Sequence, residues 1–297
     1  MSTASAPATR AADSLGRVGI WTGEFRSAER AEVQKAAAEL DGLGFGAIWV
    51  PGGVGGDILG DMDRLLTAAP RAVIATGIVN VWKHEPAEIG TWWRGLPPER
   101  QARVMLGLGI SHGPLIGESY GRPIETMAAY LDKLDAEGVA VERRCLAALG
   151  PKMLDLSRER SAGAHPYLTT PEHTRVARQR LGPDALLAPE QGVILETDAG
   201  RARQIARGAL GLYMRLPNYV NNWRRLGFSE ADVTGPSDGL LDALFAWGGL
   251  DRIAERVEAH LAAGANHVCL QVIDAAPRGG ADLGALRQAW RELAKIL

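Results

Sequence analysis

The sequence predicts an α/β fold, a (β/α)8 TIM barrel with an insertion between its seventh and eighth strands. Three observations lead there. Short apolar runs alternate with stretches whose apolar residues recur at helical spacing, the pattern of parallel strands joined by crossover helices. Eight such strand–helix units can be counted along the chain. The 297 residues suit one barrel, typically about 250 residues, plus an insertion.

The first strand is Val18–Trp21 (VGIW). Ser27 is placed to cap the next helix, whose apolar positions Val33, Ala36, Ala37, Leu40 and Leu43 share a face before Gly44 stops it. A second strand, 47–50, runs into Pro51-Gly52-Gly53. The third, 72–79, and the fourth, Val104–Gly109, each lead into a helix opened by a proline, Pro86 and Pro123. The fifth, 145–149, is broken by Gly150-Pro151, and a short sixth covers 163–165. Thr170-Pro171 then starts a helix that Gly182 ends. Residues 187–195 supply the seventh strand and 267–272 the eighth, with helices marked by Ile253, Val257 and Leu261 before it and by Leu283, Leu286, Trp290 and Leu293 after it. Between the last two strands lie about 70 residues, far more than a usual crossover. They hold a helix through Ile205, Ala209 and Leu212, then the run Leu216-Pro217-Asn218-Tyr219-Val220-Asn221-Asn222-Trp223. A pocket lining, an extra helix pair or a subunit interface would all account for that run.

At 46% hydrophobic and 23% charged the composition is that of a soluble globular protein. A net charge of −2 gives no electrostatic ground for a nucleic-acid or anionic-membrane partner. No stretch approaches the roughly 18 apolar residues of a membrane span. Residues 1–16 are small and polar without an apolar core, so a disordered leader is expected there and one barrel domain over 17–297, in the cytoplasm. Cys145 and Cys269 sit in apolar runs and are expected as buried free thiols.

A barrel of this kind carries its site at the C-terminal ends of its strands. Three of the six histidines, His84, His112 and His165, stand just beyond a strand. Imidazole titrates near neutral pH, so each is a candidate acid or base, or a partner for a cofactor. No metal is expected, because the first strand, VGIW, offers none of the ligands that metal-dependent barrels place there. His173, His260 and His267 fall on helices or a strand start and need no functional role. Gly150, Pro151, Lys152 and Met153 open a helix directly after a strand. Free N–H groups, the helix dipole and the Lys152 charge make that a candidate phosphate seat, although an ordinary strand–turn–helix junction would look the same. The glycines from Gly107 to Gly113 have the wrong spacing for a dinucleotide fingerprint and suit the close approach of a flat ring instead.

Six strand-end phrases, LGFGAIWV (43–50), ATGIVN (75–80), LGLGISH (106–112), ALGPKM (148–153), GAHPY (163–167) and LAPEQ (187–191), together resemble the luciferase-like monooxygenase superfamily. Their order and spacing are most similar to its coenzyme F420-dependent oxidoreductase branch, over residues 17–297. The resemblance implies a barrel with an insertion, usually a homodimer, that passes hydride between coenzyme F420 and a small organic substrate. FMN and monooxygenase chemistry are the alternative, since the deazaflavin has carbon where the flavin has N5. The resemblance further implies a non-prolyl cis peptide at Gly77–Ile78 backing the cofactor ring, Asn80 at the pyrimidine edge, Gly109, Ile110 and Ser111 beside it, and the phosphate at Gly150, Pro151, Lys152 and Met153. One place departs from the pattern. Deazaflavin-dependent glucose-6-phosphate dehydrogenases carry a catalytic histidine after the second strand, where this chain reads Pro51-Gly52-Gly53-Val54-Gly55-Gly56. Sugar-phosphate oxidation by the same residues is therefore not expected. Proton transfer falls to His112, His165 or His84, and a non-catalytic flavin-binding protein of the same fold is a second reading.

Overall fold

The computed structural model describes residues 14–53, 56–275 and 282–297. Strands form where short apolar runs can be buried on both faces, inward on the barrel axis and outward under helices. They are β1 Val18–Trp21, β2 Ala47–Gly52, β3 Val73–Asn80, β4 Val104–Gly109 and β5 Arg144–Leu146. The second half comprises β6 Gly163–Ala164, β7 Leu186–Leu187, β8 Glu190–Ile194, β9 Phe245–Trp247 and β10 Val268–Val272. All neighbours pair in parallel, in the order β7-β6-β5-β4-β3-β2-β1-β10-β8-β9.

The ring closes through the segment that holds β7 and β8. On one side Ala188 N donates to Ala164 O and Glu190 N to Pro166 O, and on the other Cys269 N donates to Pro189 O. The single seventh strand expected at 187–195 is thus split around Ala188-Pro189, where the proline cannot donate to a ladder. The remaining staves lie where the sequence puts them, though β5 stops at Leu146. β9 was not foreseen: it lies inside the long insertion and extends the sheet beside β8.

Helices fill the outside. Arg30–Leu43 is capped by Glu29, whose side chain accepts from Glu32 N, and not by Ser27. Ser27 closes a 3₁₀ turn at Glu24–Arg26, which pushes the helix start downstream. Pro86–Gly95, Pro123–Ala136, Pro151–Arg160 and Pro171–Leu181 each begin with proline in the first turn, and Thr170 Oγ1 accepts from His173 N at the last of them. Within the insertion the helix Ala199–Leu210 buries Ala202, Ala206 and Leu210, one phase away from the expected stripe, and Leu212 is 49% exposed beyond its end. The insertion packs an apolar cluster of its own around Leu210, Tyr213, Tyr219 and Trp223.

The N-terminal end of the barrel is plugged by chain that was expected to belong to the leader. Leu15 is fully buried against Trp49 and Cys269. It lies so close to the strand-two approach that a Cβ on Gly46 would meet Leu15 O at 2.1 Å. Residues 1–13 of that leader lie outside the described residues. Cys145 and Cys269 are buried and free. No helix among the described residues is long and apolar enough to cross a membrane.

Candidate functional site

The end of β3 is the most constrained stretch of the rim. Its register slips against β2 between Val50 and Gly52 and against β4 between Ala75 and Val79. The Gly77–Ile78 peptide between those slips is cis, as the resemblance implied. Gly77 faces the axis, where a Cβ would come within 2.4 Å of Trp21 Nε1 and 2.9 Å of His165 Nε2. Trp21 Nε1 donates to Gly77 O at 3.3 Å. Ile78 turns to β4 and occupies the space a Cβ on Gly109 would need, its Cγ1 only 2.5 Å from that position. Asn80 is buried, and its Oδ1 accepts from Trp82 N at 3.0 Å. Trp82 Nε1 in turn donates to Ile110 O at 2.8 Å, tying the ends of β3 and β4 together. Ser111 holds φ at +60°, a conformation few non-glycine residues adopt. The structure therefore gathers Gly77, Ile78, Asn80, Gly109, Ile110 and Ser111 on one rim, as the sequence suggested.

The three histidines separate. His84 Nε2 donates to Gly52 O at 3.3 Å, and Lys83 Nζ donates to Gly53 O at 2.9 Å. Both side chains thus hold the glycine-rich loop after β2, of which Val54 and Gly55 lie outside the described residues. His165 lies on the barrel axis, 1% exposed and stacked on Trp49 at 4.1 Å. Its Nδ1 donates to Ala188 O at 2.7 Å, which leaves Nε2 unprotonated and without a partner. Burial holds its pKa down at about 4. His112 is half-buried at the rim, its Nδ1 3.0 Å from Asn218 Oδ1. That oxygen can only accept, so Nδ1 carries the proton and Nε2 the lone pair. Burial lowers the His112 pKa, partly offset by the Asn218 contact.

Asn218 comes from the helix Pro217–Arg225 of the insertion, which the sequence could not place. That helix closes over the mouth through a chain of rings. Trp21 lies 5.8 Å from Tyr167, Tyr167 6.4 Å from Tyr219, and Tyr219 5.4 Å from His112. Tyr213 Oη donates to Tyr167 Oη at 3.3 Å, and Tyr167 Oη to Gln271 Oε1 at 2.8 Å. The ends of β1, β4, β6 and β10 are thereby joined under one aromatic wall.

At the end of β5 the helix Pro151–Arg160 begins as expected, and Gly150 supplies no side-chain cap for its first N–H groups. Among the described residues, a Cβ on Gly150 would find Arg225 Nη2 alone, 3.8 Å away. Arg225 donates to Asn222 Oδ1 at 3.4 Å, and the buried Asn222 Nδ2 has no partner. Lys152 is exposed and Met153 buried. Arg225 is the cation that sequence reasoning missed here; it stands two residues past the aromatic run, and only the folding of the insertion brings it to Gly150.

One concavity of about 220 Å³ lies between the segments that follow β1 and β2, beside Phe25, Arg26, Gly56 and Asp61, and one of about 190 Å³ lies along β9, beside Trp247 and Arg256. Asp61 is shared by Arg26 and Arg64 in the first, and Arg252 lies 4.1 Å over the Trp247 ring in the second. These charged side chains are thus held by one another or by a ring. The chemistry-bearing side chains are at the rim.

No family profile and no curated protein sequence matches the chain. Solved structures do. An F420-dependent secondary alcohol dehydrogenase in complex with an F420–acetone adduct superposes with a TM-score of 0.71 at 13% identity, covering 95% of this chain and 98% of that one. The coenzyme F420-dependent tetrahydromethanopterin reductase of Methanopyrus kandleri gives 0.69 at 15%, with the same coverage. The FMN complex of the oxygenating constituent of 3,6-diketocamphane monooxygenase from Pseudomonas putida gives 0.68 at 12%, covering 95% and 97%. The chain shares the fold of these F420-dependent and FMN-containing proteins.

Proposed function

We propose that this protein is an oxidoreductase that binds coenzyme F420 and passes hydride between it and a small organic substrate. The observation that carries the reading is the rim at the ends of β3 and β4, where the half-buried Ile78, the buried Asn80 and Ile110 and the left-handed Ser111 stand together beside His112 and the aromatic rings of the insertion. Trp21, His165 and Ile78 fill the places that a Cβ on Gly77 or Gly109 would take. Two further features fit the cofactor: the unpartnered Nε2 of His165 behind Gly77, and the uncapped helix start at Gly150 facing Arg225 and Lys152. The ring would rest on Gly77 and Ile78 with Asn80, Gly109, Ile110 and Ser111 at its edges, and the phosphate on Gly150, Pro151, Lys152 and Met153.

When bound, the deazaflavin supplies a ring carbon that accepts or returns hydride. The chain's own residues do the rest. The insertion helix Pro217–Arg225 roofs the mouth and excludes water. Asn218 fixes the His112 tautomer, so that Nε2 is ready to take the proton of a substrate hydroxyl as its carbon loses hydride and C–O becomes C=O. FMN is the second reading, favoured by the nearly equal likeness to the FMN-bound neighbour.

Titration with F420 and FMN side by side, followed by visible absorption, tests the assignment. Tighter binding of F420 is expected. Tighter binding of FMN transfers the site to flavin chemistry, and binding of neither overturns the proposal. Tight binding without turnover on any of a broad panel of alcohols and ketones makes the protein a cofactor carrier.

A further inference from the structure

We infer that the concavity between the segments following β1 and β2 is a second anion site, built for one phosphate group and separate from the helix start at Gly150. It does not depend on the cofactor. The space is about 220 Å³, ample for such a group when a water molecule's share of the liquid is about 30 Å³. Three arginines line it from three elements. Arg26 ends the 3₁₀ turn after β1, Arg30 opens the helix Arg30–Leu43, and Arg64 stands midway along the helix Ile58–Ala68.

Two carboxylates face the arginines and do not cancel them. Asp61 is shared by Arg26 and Arg64. Asp57 Oδ1 accepts from Gly60 N at 2.8 Å, capping its own helix. Among the described residues Arg30 pairs with no carboxylate. The acids next along these segments are engaged as well. Glu24 accepts from Thr22 Oγ1 at 2.8 Å, Glu29 from Glu32 N at 3.1 Å, Glu32 from Lys35 Nζ at 2.7 Å, and Asp63 from Trp92 Nε1 at 3.1 Å. Three guanidinium groups thus line the space with two carboxylates, a surplus of positive charge. The Arg26 side chain is 5% exposed, and its burial lowers its pKa; Asp57 opposes the shift and the neighbouring Arg64 adds to it. An anion between these groups answers their repulsion. The concavity also lies at the starts of two helices, 14 and 11 residues long, whose dipoles favour negative charge. Guanidinium forks suit carboxylate and phosphate alike. Donors arriving from three elements match a tetrahedral group, whose oxygens point several ways, better than a flat carboxylate.

The experiment titrates the full chain carrying Arg225→Ala, which weakens any competing site at Gly150, in phosphate-free buffer. Calorimetry follows inorganic phosphate, glycerol phosphate and acetate, and phosphorus NMR line widths check the first two. Phosphate should bind about fivefold or more tightly than acetate. Adding Arg30→Gln, at an exposed position without an ion pair, should weaken phosphate about three- to tenfold, and Arg30→Lys should recover part of the loss. Thermal unfolding without phosphate should be the same for all three proteins, so that lost binding is not lost fold. Equal affinity for phosphate and acetate overturns the phosphate class. No phosphate binding, or full affinity after Arg30→Gln, overturns the site. Glycerol phosphate bound more tightly than inorganic phosphate identifies the anion as the head of a larger ligand, and equal binding identifies a free ion; the site stands in both cases. Titration of F420 into the chain with its native Arg225 reads the cofactor proposal separately.

Discussion

His112 and His165 both stand just beyond a barrel strand, yet one imidazole ends at the rim and the other on the axis. After β6 the chain stays sheet-like, with His165 N donating to Leu146 O at 2.9 Å, so its side chain is carried inward onto Trp49. After β4 the turn at Ser111, with φ of +60°, swings the chain out of the sheet before His112. The inner ring donates from Nδ1 to Ala188 O at 2.7 Å and stacks on Trp49, whose Nε1 donates to His267 Nε2 at 3.1 Å. The outer ring has one partner from an element about a hundred residues later. Position relative to a strand end does not decide a role; the backbone conformation of the next two residues does.

The sharpest way to break this contrast is to exchange the two losses. His112→Ala should lower turnover by roughly 10²–10⁴ while F420 affinity stays near normal, as for a general base. His165→Ala should act on the fold, costing about 2–4 kcal/mol of stability through the lost stacking and the cavity left behind. Steady-state kinetics, cofactor titration and urea unfolding on both variants decide it. A His165 variant of full stability and dead activity would reverse the assignment.

The second effect is on stability against pH. Burial depresses His165 and His267 to about 4 and His260 to about 3. The folded chain keeps these rings neutral, whereas the unfolded chain protonates them near pH 6.5. Below that pH the unfolded state binds more protons, so stability is complete above about 6.5 and is lost as pH falls, until the folded rings protonate as well. Three such groups give a slope of up to about 4 kcal/mol per pH unit near pH 5. Urea midpoints between pH 7 and pH 4.5 measure it, and a flat profile would mean that the inner histidines are not sealed from water.

Legibility divides along the same line. Staves β1 to β4 could be read because each is a run of buried aliphatic residues bounded by turn chemistry, and the rim residues Gly77, Asn80 and Gly109 lie directly on them. β6 and β7 have two residues each; the sequence marks the first at 163–165 but merges the second with β8 into one strand, and β9 hides in a helical segment. The run 216–223 could be read as a pocket lining among other possibilities, but not that Asn218 meets His112 or Tyr219 joins the wall, and Arg225 at Gly150 escaped entirely. Local pattern carries no record of where about 70 residues of chain return.

A third, smaller effect contrasts two glycines of the rim. At Gly77 a Cβ would press on Trp21 Nε1 and His165 Nε2, whereas at Gly53 it would meet none of the described residues within 4 Å. Gly77→Ala should cost about 1–3 kcal/mol of stability by overpacking and weaken F420 binding. Gly53→Ala should change neither by more than about 0.5 kcal/mol. Thermal unfolding and F420 titration of the pair measure both quantities, and equal behaviour would remove the packing contrast between them.

The last contrast sets Lys152 against Arg225 at the helix start after β5. The sequence offers only Lys152, but its side chain is exposed, and a solvated ammonium contributes little to a phosphate contact. Arg225 is partly desolvated, which lowers its pKa, and its guanidinium is steadied by Asn222. A planar fork held in place makes the stronger phosphate contact. Arg225→Ala should therefore weaken F420 binding by about 1–3 kcal/mol and Lys152→Ala by about 1 kcal/mol or less. Raising the salt from about 0.05 to about 0.5 M should erase most of the Lys152 effect, because the Debye length shrinks from about 13 to about 4 Å and exposed charges are screened first, and should spare most of the Arg225 effect. Isothermal titration of the two variants at both salts separates them. If neither substitution matters, the phosphate sits elsewhere, the remaining candidate being the loop after β10 with Arg278, Gly279 and Gly280, which lies outside the described residues.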